Sequence, residues 1–274
     1  MIHLLCALDC EAKPVLEAFQ LRRVPECKVA KVYITPNQSL SLTVTGTGKL
    51  AMASAVGYLA AFLPVSSKDG WLNYGIAGHP DFDIGSAWLV NKISDEAGSK
   101  TWFPQILFDS PLPRTSLVTV DKPVFNYGEA VLYDMEAAGF YDCISRITTA
   151  EMAHCLKIVS DNRLAPAGKI NKQLVLDLIS ANLDTLEHVM DRLSELSKLI
   201  ISDDAVDNMY KQFIEHWHFT RTEQVQLKHL LNRWQILLPE QPPLTGIQGT
   251  VNTGKQVLLT LRDRLDNVPI KLGS

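Results

Sequence analysis

Apolar runs and polar breaks alternate along the first 160 residues in a regular way. Residues 2–8 are a short apolar run ending at Asp9 and Glu11, the pattern of a buried strand. Val15, Leu16, Ala18 and Phe19 then recur at helical spacing. Residues 30–36 and 40–45 are rich in β-branched and aromatic types and predict strands, and Thr45-Gly46-Thr47-Gly48 predicts a turn. Leu50 to Leu63 is apolar and full of small residues, as in a helix lying close on a sheet. Strands are predicted from Trp71 through Gly75 toward Gly78, from Ser86 to Ile93, from Ser116 to Val120 and from Cys155 to Val159, with a helix over 131–147. Strands alternating with helices predict an α/β fold with ligands at the strand ends.

The pattern changes further on. Residues 169–201 are a long amphipathic helical stretch with one break, and 203–274 reads as a helical extension, so the expected domains are 1–202 and 203–274. Within the extension, helices are predicted over Asp204–Trp217, Thr220–Leu238 and Val251–Leu265. Thr220 and Glu223 have the spacing of a capping box. Trp217, Phe219 and Trp234 are read as a face docking on the α/β core, with a partner surface as the other reading.

Composition narrows the function classes. The 274 residues are 46% hydrophobic and 20% charged, with a formal net charge of −4, so a nucleic acid partner is not favoured. No run approaches the roughly 20 apolar residues of a membrane span. Five cysteines without a C-x-x-C pair predict free thiols and a cytoplasmic protein. No metal and no cofactor is expected.

Two glycine-rich segments bear on anion binding. Gly249 to Lys255 spells G-x-x-x-x-G-K, but Gln256 stands where a phosphate-binding loop needs Ser or Thr, and no strand precedes it. Thr45-Gly46-Thr47-Gly48-Lys49 offers backbone N–H groups to an anion, or is simply a tight strand-to-helix connection.

Several polar positions gain meaning from their order. Glu11 follows the first strand; Thr45-Gly46-Thr47-Gly48 precedes the small-residue helix. Then come Asn73-Tyr74-Gly75-Ile76-Ala77-Gly78, Ser116-Leu117-Val118-Thr119-Val120-Asp121, Tyr133-Asp134-Met135-Glu136-Ala137 and Ile158-Val159-Ser160-Asp161. Over roughly residues 1–200 this resembles the nucleoside phosphorylase superfamily, most closely its hydrolytic branch, the methylthioadenosine/S-adenosylhomocysteine nucleosidases. The resemblance implies a three-layer α/β/α sandwich with a mixed central sheet, and cleavage of the N-glycosidic bond of a purine nucleoside. It implies catalytic roles for Glu11, which would activate water, and Asp161, which would serve the purine. It implies that Glu136 holds the ribose hydroxyls, that Met135 packs on the sugar, that Pro123 and Val124 lie near the base pocket, and that Gly78 and Ser160 also bind the substrate. Ile76 and Pro123 depart from the family pattern, which has a small hydroxyl residue and an aromatic there. The expected partners are a small-molecule nucleoside, phosphate if the reaction is phosphorolytic, and a second copy of the chain in a homodimer. Asn73, where phosphorylases carry an arginine for phosphate, favours water as the nucleophile.

Overall fold

The computed structural model describes residues 1–98, 100–200, 203–247 and 249–268, with the backbone alone at 203–205. The expected boundary at residue 202 and the tail 269–274 fall outside the described residues. The chain divides into two compact units, Met1–Ile200 and Ile201–Ser274.

The first unit is an α/β sandwich. Its strands are β1 (Ile2–Cys6), β2 (Arg22–Arg23), β3 (Lys31–Ile34), β4 (Leu40–Val44), β5 (Gly70–Gly78), β6 (Ala87–Asp95), β7 (Thr101–Trp102), β8 (Arg114–Thr119), β9 (Leu132–Asp134) and β10 (Ala153–Asp161). Its helices are α1 (Asp9–Ala18), α2 (Lys49–Phe62), α3 (Ala137–Ile144), α4 (Lys172–Ala181) and α5 (Leu183–Leu199). Among the described residues the strands form one mixed sheet in the order β10-β6-β8-β9-β5-β1-β4-β3-β2, with β7 on β6. β10 also pairs with β5, so five strands close into a ring with the rest of the sheet attached at β5. The short pair β2 and β7 carried no periodic signal and was not anticipated.

The pleat sorts side chains to two faces. Leu4 and Cys6, Leu72 and Tyr74, and Leu156 and Ile158 join a core completed by α1, α4 and α5. Leu5, Trp71, and Cys155 and Val159 join a second core under α2 and α3. Strands buried on both sides read as continuous apolar runs, which is why they stood out in the sequence.

Two expectations are corrected. Residues 131–147 are not one helix: Leu132–Asp134 is a strand parallel to β8, and its Tyr133 pairs with Gly78 of β5. The Asp134 carboxylate then accepts the Ala137 N–H at 2.9 Å and so starts α3. Met135 and Glu136 therefore sit in the strand-to-helix turn, not within a helix. Ser160 and Asp161, read as a turn, belong to β10, where a bulge puts Asp161 opposite Gly78.

The second unit contains α6 (Asp203–His216), α7 (Arg221–Leu237) and α8 (Gly254–Asp266). Phe219 and Trp234 are buried with Leu227, Leu231, Val257 and Leu261, and Trp217 packs against that cluster. The aromatic residues thus fill a core of the unit's own, which neither sequence reading of them anticipated. The Thr220–Glu223 capping box forms: Glu223 accepts the Thr220 N–H at 2.8 Å and Thr220 Oγ1 accepts the Glu223 N–H at 3.3 Å. The G-x-x-x-x-G-K segment is also a helix start. Gln256 Oε1 accepts the Asn252 and Thr253 N–H groups at 3.0 and 3.2 Å, while Thr253 caps α8. No helix among the described residues is long and apolar enough to cross a membrane.

Candidate active site

The ends of β1, β5, β8, β9 and β10 converge on a cavity of about 190 Å³. Glu11, Gly78, Val124, Met135, Glu136, Ser160 and Asp161, all expected from the sequence, line it together. Leu8, Ile76, Val120, Pro123 and Ile170 make much of the wall apolar, and none of the lining residues is Lys or Arg.

Glu11 is the third residue of α1, and only 3% of it is exposed. Its Oε2 accepts the Ala7 and Leu8 N–H groups at 3.0 and 2.8 Å, and its Oε1 accepts the Ile76 N–H at 2.9 Å. A helix start favours an acid at this position, and here the side chain turns inward to satisfy orphan donors. Gly75 makes the room: a Cβ there would lie 2.5 Å from Glu11 Oε1. Burial pushes the Glu11 carboxyl above the usual carboxylate range, against the opposing pull of these hydrogen bonds and of the Lys157 charge.

Asp161 is also buried, at 5% exposure. Its Oδ1 accepts the Ser160 hydroxyl at 2.6 Å, and its Oδ2 accepts the Tyr127 phenol. Here Gly78 gives way, since a Cβ would meet Asp161 Oδ2 at 2.7 Å. Gly75 and Gly78 are three residues apart on β5, roughly 10 Å of strand at the usual rise. The two carboxyls thus approach one strand at two separate points.

Glu136, 8% exposed, bridges the turn to a second element. Its Oε1 accepts the Gly48 N–H at 2.8 Å, at the start of α2. The anion that the glycine turn binds is therefore the protein's own carboxylate. Burial, and then the charge of Asp134, push Glu136 up to about 7.

Two groups escaped sequence reasoning. Lys157 lies mid-strand on β10, fully buried, with its ammonium 2.9 Å from Asp134 Oδ2. Burial disfavours its charge, but Asp134, Cys155 and Glu136 together outweigh this and hold Lys157 well above the usual lysine range. Its signal was available: a lysine amid Cys155, Leu156, Ile158 and Val159 needs a buried partner. Asp134 in turn accepts the Thr119 hydroxyl at 2.7 Å and the Ala137 N–H, so it is fully satisfied. Tyr127, from the loop between β8 and β9, carried no periodic signal at all.

The chemistry available is that of buried carboxyls around a mostly apolar hole. One has a raised pKa beside the first strand end, one stands across β5, and a third lies on the turn between β9 and α3. Two cations near the cavity are engaged. Lys49 is held at 2.7 Å by Asp95 and at 2.8 Å by Asp121, and Lys157 by Asp134.

No family model matches the chain, and no curated protein does. Solved structures do. A methylthioadenosine nucleosidase of Arabidopsis thaliana superposes with a TM-score of 0.58 at 18% identity, over 70% of this chain and 95% of that one. A methylthioadenosine/S-adenosylhomocysteine nucleosidase of S. pneumoniae, solved with a transition-state inhibitor, gives 0.56 at 14% identity, over 71% and 99%. The futalosine hydrolase of Helicobacter pylori gives 0.53 at 14% identity, over 69% and 97%. Nearly the whole of each of these proteins is matched. The chain therefore has the fold of these solved nucleoside hydrolases.

Proposed function

We propose that the protein hydrolyses the N-glycosidic bond of a purine nucleoside. One observation carries the reading: Glu11 of α1 and Asp161 of β10, both buried, reach a single mostly apolar cavity against separate glycines of β5, with Glu136 also lining it. Glycosidic hydrolysis needs an acid at the leaving group and a base for water, with space for the sugar between them.

In this reading Glu11 takes a proton from water, and the water oxygen bonds to C1′ as the C1′–N9 bond breaks. The bond's electron pair passes to the purine, and Asp161, having taken up a proton from solvent as the nucleoside binds, delivers it at N7. A base whose pKa is raised toward neutrality is suited to the first step, and burial supplies that rise at Glu11. Glu136 and Met135 hold the ribose. Val124, Gly78 and Ser160 border the base. Each such proton transfer accounts for about 10²–10⁴ in rate.

Water rather than phosphate is favoured by the donors already engaged. The Gly48 N–H goes to Glu136, and Lys49 is paired with Asp95 and Asp121. A dianion would meet carboxylates instead of an arginine fork.

The test is a panel of purine nucleosides, including adenosine and methylthioadenosine, assayed for free base with and without phosphate. Hydrolysis predicts free ribose or alkylthioribose and a rate indifferent to phosphate. A rate that saturates with phosphate, with a sugar 1-phosphate product, would replace this reading with phosphorolysis.

A further inference from the structure

The loop joining β8 to β9 runs over the cavity with most of its residues in solvent. Asp121, Lys122, Phe125, Asn126, Gly128, Glu129 and Ala130 are exposed. Val124 and Tyr127 turn inward, and both line the cavity. The loop is tied down beyond Tyr127, where the Tyr133 hydroxyl accepts the Glu129 N–H at 2.9 Å. The Tyr127 ring leans on the Tyr133 ring, with centroids 5.6 Å apart.

The place of the Tyr127 hydroxyl is specific. It donates to Asp161 Oδ2, while Ser160 donates to Oδ1, so each oxygen of that carboxylate already accepts a hydrogen bond. A Cβ built on Gly78 would lie 2.6 Å from the phenol oxygen and 2.7 Å from Oδ2. Phenol, carboxylate oxygen and strand backbone thus meet at one point. Burial and the Asp161 charge hold the phenol well above the usual tyrosine range, so it stays a donor.

We propose that Tyr127 is a gate: its phenol occupies the purine's place on Asp161 in the empty site and must leave before a base can dock. The identity of the occupant rests on the nucleosidase reading. The geometry of the competition does not, since a group that comes to Asp161 Oδ2 beside Gly78 meets the phenol oxygen at the same point. A purine brings its own partners to that oxygen, an N–H donor or the N7 acceptor for a carboxyl proton, so binding exchanges one hydrogen bond for another. The loop suits such an exchange. It is irregular, mostly exposed and anchored at Glu129, and Pro123, Val124 and Tyr127 line the cavity. Affinity in the unsubstituted protein is then reduced by the fraction of molecules whose gate is closed.

The experiment compares Tyr127→Phe with the unsubstituted chain, reading KM and kcat for the best nucleoside of the panel and Kd for adenine and hypoxanthine by calorimetry. Losing a hydrogen bond to a charged acceptor should open the gate, lowering KM and Kd about tenfold. In an Asp161→Asn background, where the acceptor is no longer charged, the same change should alter Kd far less. A Kd that is unchanged, weakened, or beyond measurement in both proteins overturns the gate. So does a joint fall in kcat and rise in KM, which would make the phenol a contact of the bound substrate. A panel with no turnover overturns the nucleosidase reading instead. Purine bases that still bind, and bind tighter to Tyr127→Phe, would leave the gate standing.

Discussion

Glu136 serves two demands that conflict. In the proposed reading it must face the cavity to hold the ribose, yet burial and the Asp134 charge raise its pKa from 4.5 to about 7. Unfolded, the acid ionises near 4.5; folded, it keeps its proton until about 7. The folded state therefore binds the extra proton between these values. The associated stability is fully present below about 4.5 and is lost as pH rises through about 7. At 1.36 kcal/mol per unit the swing is about 3 kcal/mol at most. Glu136→Gln keeps an acceptor for Gly48 and removes the titration. Thermal unfolding at pH 5 and pH 8 should show the unsubstituted protein losing more stability on the alkaline side than the variant; parallel losses would sink the argument. At the residue scale, the site was legible where a carboxylate stood at a strand end in a familiar order. Glu11, Glu136 and Asp161 were singled out that way, and they line one cavity. Tyr127 was not, because a loop side chain that folds back declares itself only through the partner it meets in space.

At the scale of elements, the sheet was read well where strands are buried on both faces and less well where they are short. β9 has three residues, and its apolar neighbours in α3 absorbed it into a helix pattern. What separates strand from helix there is Asp134, whose carboxylate both accepts the first N–H of the helix, from Ala137, and binds Lys157 from β10. A strand tethered by an ion pair leaves no periodic trace, so spacing could not reveal it. The pair also fixes the turn that carries Met135 and Glu136. Removing one partner of a buried pair costs about 3–5 kcal/mol, because the other charge is left uncompensated. Lys157→Met should lose about that much in urea unfolding. Adding Asp134→Asn, which removes the stranded charge but keeps an acceptor, should restore at least half of it. If the double variant is no more stable than the single one, packing around the lysine stem, not charge, is what holds β9 in place.

At the scale of the whole molecule, the division of labour is the open matter. The shift from alternating strands and helices to helices alone was plain in the sequence. The independence of the second core was not, since aromatic residues at helical spacing look alike whether they dock on a neighbour or fill a core of their own. Every residue lining the cavity falls within Met1–Ile200, and so do both cores that flank the sheet. The helical unit buries Phe213, Phe219, Leu231, Trp234, Ile247 and Leu261 among its own residues. A chain ending at Ile200 thus keeps the carboxyls, the Lys157 pair and the Tyr127 loop. It should unfold cooperatively and retain kcat/KM within about threefold, about 0.7 kcal/mol in transition-state binding. The measurement is the nucleoside assay on the shortened protein beside its circular dichroism melt. A soluble, cooperative and active fragment would assign residues 201–274 to some task other than catalysis. A fragment that folds but turns over more than tenfold slower would show that the helical unit supports the cavity, and the description of the active site would then have to include it.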